Sequence, residues 1–325
     1  MGQYFSKKTQ QLTVLFITLY LSACTNSPGE SNKVIVYVSV DQIFSSKILK
    51  QFEKEAGIKV EAVYDTESSK AVGLEKRLIT EKSSPQADLF WNSEFLRTAR
   101  LANAGALMNL ATEEKTYQKK IGLRSRVFII NTNLIKEKNY PITLNDLTKV
   151  QYKGKIALCS PYFGTASTHF AALYYKLGEE KFLHFIKGLK NNNVALLAGN
   201  SVVKDAVGYG KYAIGLVDTD DAILGIKQGL PIKMLYYNQE KQGMFSIYQT
   251  VSIIKDAPHS KNAKILLEYL STEKIEQQLI DMDAVQFSLI ESKNNLSKPK
   301  LWTVEGHKLT KALKTSIKLM RSNLE

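Results

Sequence analysis

From residue 33 onward, short apolar and β-branched runs alternate with segments whose apolar residues recur at helical spacing. "KVIVYVS" (33–39) reads as a strand. The segment after it, "DQIFSSKILKQFEKEAG", places Ile43, Phe44, Ile48 and Phe52 on one helical face and stops at Gly57. "KVEAVYD" (59–65), "ADLFWN" (87–92), "RVFIINT" (126–132), "IALCSP" (156–161), "VALLAG" (194–199), "AIGLV" (213–217) and "TVSIIK" (250–255) read as further strands. Helical patterns fill most of the gaps, for example 166–177 and 179–190. Continuously apolar strands alternating with helices predict an α/β fold of parallel-rich sheets covered on both faces.

Six of these strands end in polar clusters: "SVDQ" (39–42), "YDTES" (64–68), "WNSE" (91–94), "GTAST" (164–168), "GNS" (199–201) and "DTDD" (218–221). Open α/β sheets bind ligands outside the carboxyl ends of their strands, so a cleft lined by loops and helix starts is expected. Plain helix capping accounts for the same residue types, and the two roles are compatible.

The first thirty residues read differently. Lys7 and Lys8 precede the apolar run "QLTVLFITLYLSAC", too short for a membrane span but suited to a signal peptide. It ends in "LSAC", which looks like a bacterial lipobox, with Cys24 as the residue to be lipidated after removal of 1–23. An ordinary secretory signal with Cys24 incidental is the alternative. "TNSPGESNK" then forms a polar tether, so 24–32 is read as linker. The mature chain is therefore expected on the extracytoplasmic or periplasmic face of the cell envelope, anchored to membrane by lipid. Cys159, the only other cysteine, would be a small buried residue.

The 325-residue chain carries a net charge of +13. Loss of 1–23 removes two lysines and no acid, which lowers it to +11. Such a surface suits anionic ligands, lipid headgroups or nucleic acid; lysines scattered over solvated helix faces give the same balance. No stretch interleaves basic and aromatic residues as a nucleic-acid groove does, so nucleic acid is not an expected partner. The basic, helical tail 301–325 has no evident role.

Candidate chemistry sits at the strand ends. Asp218, Asp220 and Asp221 form a tight acid cluster, which with Glu94 and Asp41 makes a plausible cation site. Capping of a helix over 220–228 by Asp218 or Thr219 explains the cluster equally. Thr165, Ser167 and Thr168 follow Gly164 at a helix start, a natural anion site. Asn200 and Ser201 open another helix, and Arg124 and Arg126 of "RSR" offer bidentate donors, one towards the cleft edge and the other towards solvent. In "WNSE", Trp91 would supply an apolar wall, Asn92 a donor and Glu94 a ligand, with Ser39 on the neighbouring strand end. Asp65 and Thr66 read equally as a plain turn. The four histidines lack metal-binding spacing, and there is no GxSxG elbow or P-loop.

"VYVSVDQIFSSKILKQFEKEAGIKV", "VYDTESSKAVGLEKRLITEK", "PQADLFWNSE", "RSRVFIINT", "GKIALCSPYFGTASTHFAAL", "GNSVVKDAVGYGKYAIGLVDTDDA" and "SIIKDAPHSKNAKILLEYL" together resemble, in order over about 35–270, the solute-binding proteins of bacterial ABC importers, iron(III)-type branch. The resemblance implies a two-lobed type II periplasmic binding protein fold. One lobe would be 33–130 with 250–325 and the other 131–249, hinged on crossing strands at 127–131 and 246–251. It implies no enzymatic activity and no cofactor. It also implies a monomer that closes on a small solute or ion and docks on an ABC permease in the cytoplasmic membrane.

Iron(III) with an anion is the ligand implied by the family, held through Glu94, Asp218 and Asp220 if a cation is bound. The adjacent tyrosines of iron-binding members are missing from "VDTDD"; Tyr174–Tyr175 and Tyr236–Tyr237 lie elsewhere. A small organic anion such as a phosphonate or sugar phosphate is the alternative, with Thr165, Ser167, Thr168 and the arginines as its donors. A lipid-anchored phosphoesterase using Mg²⁺ in the acid cluster, or an adhesive envelope lipoprotein, are readings of other classes.

Overall fold

In the computed structural model, β1 (Lys33–Val38) is the centre of a parallel trio, with β2 (Lys59–Tyr64) on one side and β3 (Leu89–Asn92) on the other. Residues 32–65, 71–113, 115–289 and 299–324 are described. The signal segment 1–23, Cys24, the tether up to residue 31 and Thr66 lie outside them. α1 (Gln42–Ala56) connects β1 to β2, buries Ile48, Leu49 and Phe52, and stops where Gly57 turns left-handed. α2 (Val72–Thr80) and α3 (Phe95–Asn103) lead into and out of β3.

β4 (Lys119–Asn131) and β9 (Met244–Ile253) tie the strands together. β3 pairs antiparallel with β9, and residues 119–125 of β4 pair with the other edge of β9. Residues 126–130 of β4 then pair with β7 (Ile214–Asp218), which lies parallel to β5 (Ile156–Cys159), itself parallel to β6 (Ala195–Leu197). β8 (Ile232–Leu235) pairs with β4, and β10 (Leu301–Trp302) with β9. β4 thus pairs with β9 along its first half and with β7 and β8 along its second, changing partners between Ser125 and Arg126.

Helices cover both faces: α4 (Gly164–Leu177), α5 (Glu179–Asn191), α6 (Asn200–Gly208), α7 (Thr219–Lys227), α8 (Ser260–Leu270), α9 (Glu273–Asp281) and α10 (Gly306–Leu324). Three apolar clusters result. Val36, Phe52, Leu89, Phe90 and Leu267 belong to one, and Phe128, Leu158, Phe170, Phe182 and Ile214 to another. The smallest, with Phe95, Ala171, Phe245 and Leu313, forms where α3, α4, β9 and α10 meet.

Register in β4 slips at Gly122, whose φ of 51° belongs to the left-handed region. A Cβ there would lie 2.6 Å from Val285 Cγ2, so glycine is required on two counts. Beyond this bulge Arg124 and Arg126, two apart on an extended strand, point to the same face.

The α/β alternation expected from the sequence is observed. β4 and β9 begin several residues earlier than their apolar runs suggest, because "KKIGLRS" and "MFSIYQ" join the ladder through backbone bonds. The outer strand expected around Tyr236–Tyr237 is β8, which ends just before them at Leu235; the two-residue β10 carries no apolar run long enough to signal a strand.

Candidate functional site

Every residue of β7 is buried, and the strand delivers Asp218 to the N-terminus of α7. Asp218 occupies the cap position without making a side-chain cap bond. Its Oδ1 accepts from Arg126 Nη1 at 2.8 Å, and its Oδ2 accepts from Thr165 Oγ1 at 2.6 Å and Asn200 Nδ2 at 3.1 Å. Arg126 also donates to Asn200 Oδ1 and to the Leu216 carbonyl, each at 2.8 Å. β4, β7, α4 and α6 therefore converge on one carboxylate.

Neither arginine is turned to solvent, as the sequence suggested for one of them. Arg124, two residues before Arg126 on β4, performs a parallel task. Its Nη1 donates to Asp220 Oδ2 at 2.8 Å, and its Nη2 to the Ser93 carbonyl at 2.9 Å. Burial opposes the Arg124 charge, but Asp220, Asp218 and Asp41 outweigh it and hold the guanidinium more firmly protonated than usual. Burial also opposes ionisation of Asp218, yet Arg126 and Arg124 pull its pKa below the ordinary carboxylate value. Asp220 goes the other way: burial, with Asp218 and Asp41 nearby, raises it to about 6 despite Arg124. Its Oδ1 is buried without a hydrogen-bond partner.

A cavity of about 30 Å³ opens here, lined by Asp41, Ser93, Arg124, Cys159, Thr165, Asn200, Asp218 and Asp221 among others. That volume suits an ion or one or two waters. Asp218, Asp220 and Asp221 each present an oxygen within 4.8 Å of the others. With Asp41, four carboxylates face the two guanidiniums of Arg124 and Arg126, a surplus of negative charge when all are ionised. Oxygen donors and negative surplus together suit a hard cation. A larger hollow of about 640 Å³ beside α4 and α5, floored by Leu173, Leu177 and Phe185, holds no such cluster.

Of the candidates read from sequence, Asp41, Arg124, Thr165, Asn200 and Asp218 come together at this cavity, and Asp220 joins through the acid cluster. The others are placed elsewhere. Trp91 is fully buried in a core, its Nε1 donating to Gln249 Oε1 at 3.2 Å. Ser39 Oγ donates to Asn92 Oδ1 at 2.7 Å, and Asn92 Nδ2 donates to the Glu94 carbonyl and to Thr98 Oγ1.

Glu94 caps α3, accepting from the amides of Leu96 and Arg97 and from Thr168 Oγ1 at 2.7 Å. Ser167 Oγ accepts from Arg97 Nη2 at 3.1 Å, while Arg97 Nη1 donates to the buried Glu75. These residues stitch α3 to α4 instead of lining the cavity. Ser201 lies in the first turn of α6 outside the lining. Asp65 Oδ2 accepts from the Leu74 amide in the first turn of α2, outside the cavity lining.

Neither tyrosine pair lines the cavity. Tyr237 is buried against His169, whose pKa burial and Arg126 push down to about 3, so that ring stays neutral. Cys159 and Ser93 are lining residues that sequence reasoning did not select. Their positions at the ends of β5 and β3 are the signal that was there to use.

The family profile described as "Bacterial extracellular solute-binding protein" matches residues 37–277. The chain is 24% identical to the Fe(3+)-binding periplasmic protein of Serratia marcescens over 294 residues, covering 86% of this chain and 85% of that protein. Its fold matches iron-bound HitA of Pseudomonas aeruginosa with a TM-score of 0.78 at 20% identity, over 90% of this chain and 99% of HitA. It also matches AfuA of Actinobacillus pleuropneumoniae, solved with fructose-6-phosphate, with a TM-score of 0.74 at 19% identity, over 89% of this chain and 97% of AfuA. These likenesses establish the fold as that of type II periplasmic binding proteins.

Proposed function

The chain belongs to the bacterial extracellular solute-binding proteins, and on that premise we propose that it is the capture component of an ABC importer, anchored to membrane through Cys24. Its two lobes, 33–130 with 250–325 and 131–249, close on a hard cation, with iron(III) accompanied by a small anion as the leading solute. The observation that carries this reading is the acid cluster of Asp218, Asp220 and Asp221 beside a cavity that also presents Asp41. Asp41 and Asp221 supply direct oxygen ligands. The start of α4, where Gly164 and Thr165 line the cavity, faces the accompanying anion. Carboxylates here stand where phenolates serve the iron-binding members that the chain resembles.

A second reading, capture of a sugar phosphate or phosphonate, draws on Arg124, Arg126 and Thr165 and on the likeness to AfuA. It is the weaker one, because both guanidiniums are already bonded to Asp218 and Asp220. Calorimetric titration of the purified apoprotein with iron(III) citrate, and separately with fructose 6-phosphate and a simple alkyl phosphonate, tests the choice. Saturable iron uptake with bound metal in elemental analysis is expected. Tight binding of either organic anion without metal would overturn the cation reading in favour of the second.

A further inference from the structure

α10 runs for 19 residues, about 28 Å, and contains no aspartate or glutamate. One side of it, through Leu309, Ala312, Leu313 and Met320, is buried against the body. Lys308, Lys311, Lys314, Lys318 and Arg321 are exposed on the other side. Some surface lysines elsewhere are matched to carboxylates, as in Lys33–Glu61, Lys233–Glu137 and Lys274–Glu55, and unmatched ones such as Lys47, Lys50 and Lys54 share their helix with Glu53 and Glu55. None of the five α10 cations forms an ion pair among the described residues; Arg321 sits over the Tyr162 ring. Glu305, just before the helix, faces Lys120 at 3.8 Å, and Glu179 and Glu180 open the neighbouring α5. The row of positive charge is therefore continuous along the outer face of the last helix.

We propose that this face rests on the anionic phospholipid headgroups of the membrane to which the chain is tethered. The inference rests on the acylation of Cys24 proposed above, because that anchor supplies proximity. Nine residues from Cys24 to Asn32 reach at most about 30 Å, so the body stays beside a dense sheet of negative charge. A purely electrostatic contact follows, since the apolar side of α10 is already used in the fold. Each lysine adjacent to such a surface contributes on the order of 1 kcal/mol, about a fivefold change in partitioning.

Vesicle flotation separates this contact from the anchor. Residues 24–325 with Cys24→Ser carry no acyl chain, and the described body holds its own cores. This protein is expected to float with phosphatidylcholine vesicles containing phosphatidylglycerol at low salt. It should not float with phosphatidylcholine alone, nor at about 0.5 M salt, where screening is nearly complete. The variant K308Q/K311Q/K314Q/K318Q should lose about fivefold in partitioning per lysine, while K47Q/K50Q/K54Q on α1 should keep most of it. Absence of binding to the anionic vesicles, equal binding to neutral ones, or equal loss in both variants would overturn the proposal. Failure of the anchor reading appears separately, as an unmodified Cys24 in the mass of the native protein.

Discussion

Arg126 and Asp218 are partners twice over: they face each other in the β4–β7 ladder, and their side chains meet at 2.8 Å. Both are almost completely buried, so neither charge has water to fall back on. Asp218→Asn leaves a buried guanidinium without its counter-charge, which costs about 3–5 kcal/mol. Urea denaturation of this variant should show that loss without any solute present.

Asp221 should behave in the opposite way. It is half-buried at the first turn of α7 and lines the cavity. Asp221→Asn is expected to weaken iron(III) binding at least about tenfold while changing stability by no more than about 1 kcal/mol. Titration and thermal melting of one preparation check both halves.

Thr165 and Thr168 stand on one helix but do different work. Thr165 lines the cavity while donating to Asp218, whereas Thr168 donates to the buried Glu94 away from it. Thr168→Val should cost about 1.5–3 kcal/mol, the range for a hydrogen bond to a charged group. Thr165→Ala should appear in solute affinity as well as in stability, because its hydroxyl also bonds Asp218. A Thr168→Val protein of full stability would remove the α3–α4 stitch as an energetic feature.

Asp220 gives stability a pH signature. Its folded acidity lies at about 6, against about 3.9 in an unfolded chain. Between these values the native carboxyl keeps a proton that the unfolded chain has lost, so its contribution to stability falls as pH rises from about 4 to about 6 and is flat above. Denaturation at the two ends of that window should show a larger drop for the wild type than for Asp220→Asn.

Cys159 makes no disulfide and lines the cavity at 8% exposure. Bound solute should cover it. Alkylation of Cys159, followed by mass spectrometry, is expected to slow when the solute is added. An unchanged rate would place the bound solute elsewhere.

Much of this was readable before any coordinates. Strand–helix alternation located the elements of both ladders, and the polar strand ends named Asp41, Thr165, Asn200 and Asp218. What the sequence hid was direction. Ser39, Asn92, Glu94, Ser167 and Thr168 have the composition of ligand donors, yet their hydrogen bonds go to one another and to neighbouring backbone. Polar strand ends satisfy a helix start, a neighbouring helix or a guest with the same atoms; only the packing of α3 on α4 decides which. Cys159 was hidden for the converse reason, a small side chain at the end of an apolar run that resembles core.

β4 has a mechanical consequence. A single unbroken chain is stitched on one side of Ser125 to β9 and on the other to β7. Sliding one half past the other would tear a row of backbone bonds, whereas twisting spreads the distortion over several peptide units. β4 is thus suited to bearing twist, and Ser125, whose Oγ donates to the Phe245 carbonyl, marks the point at which it changes partners.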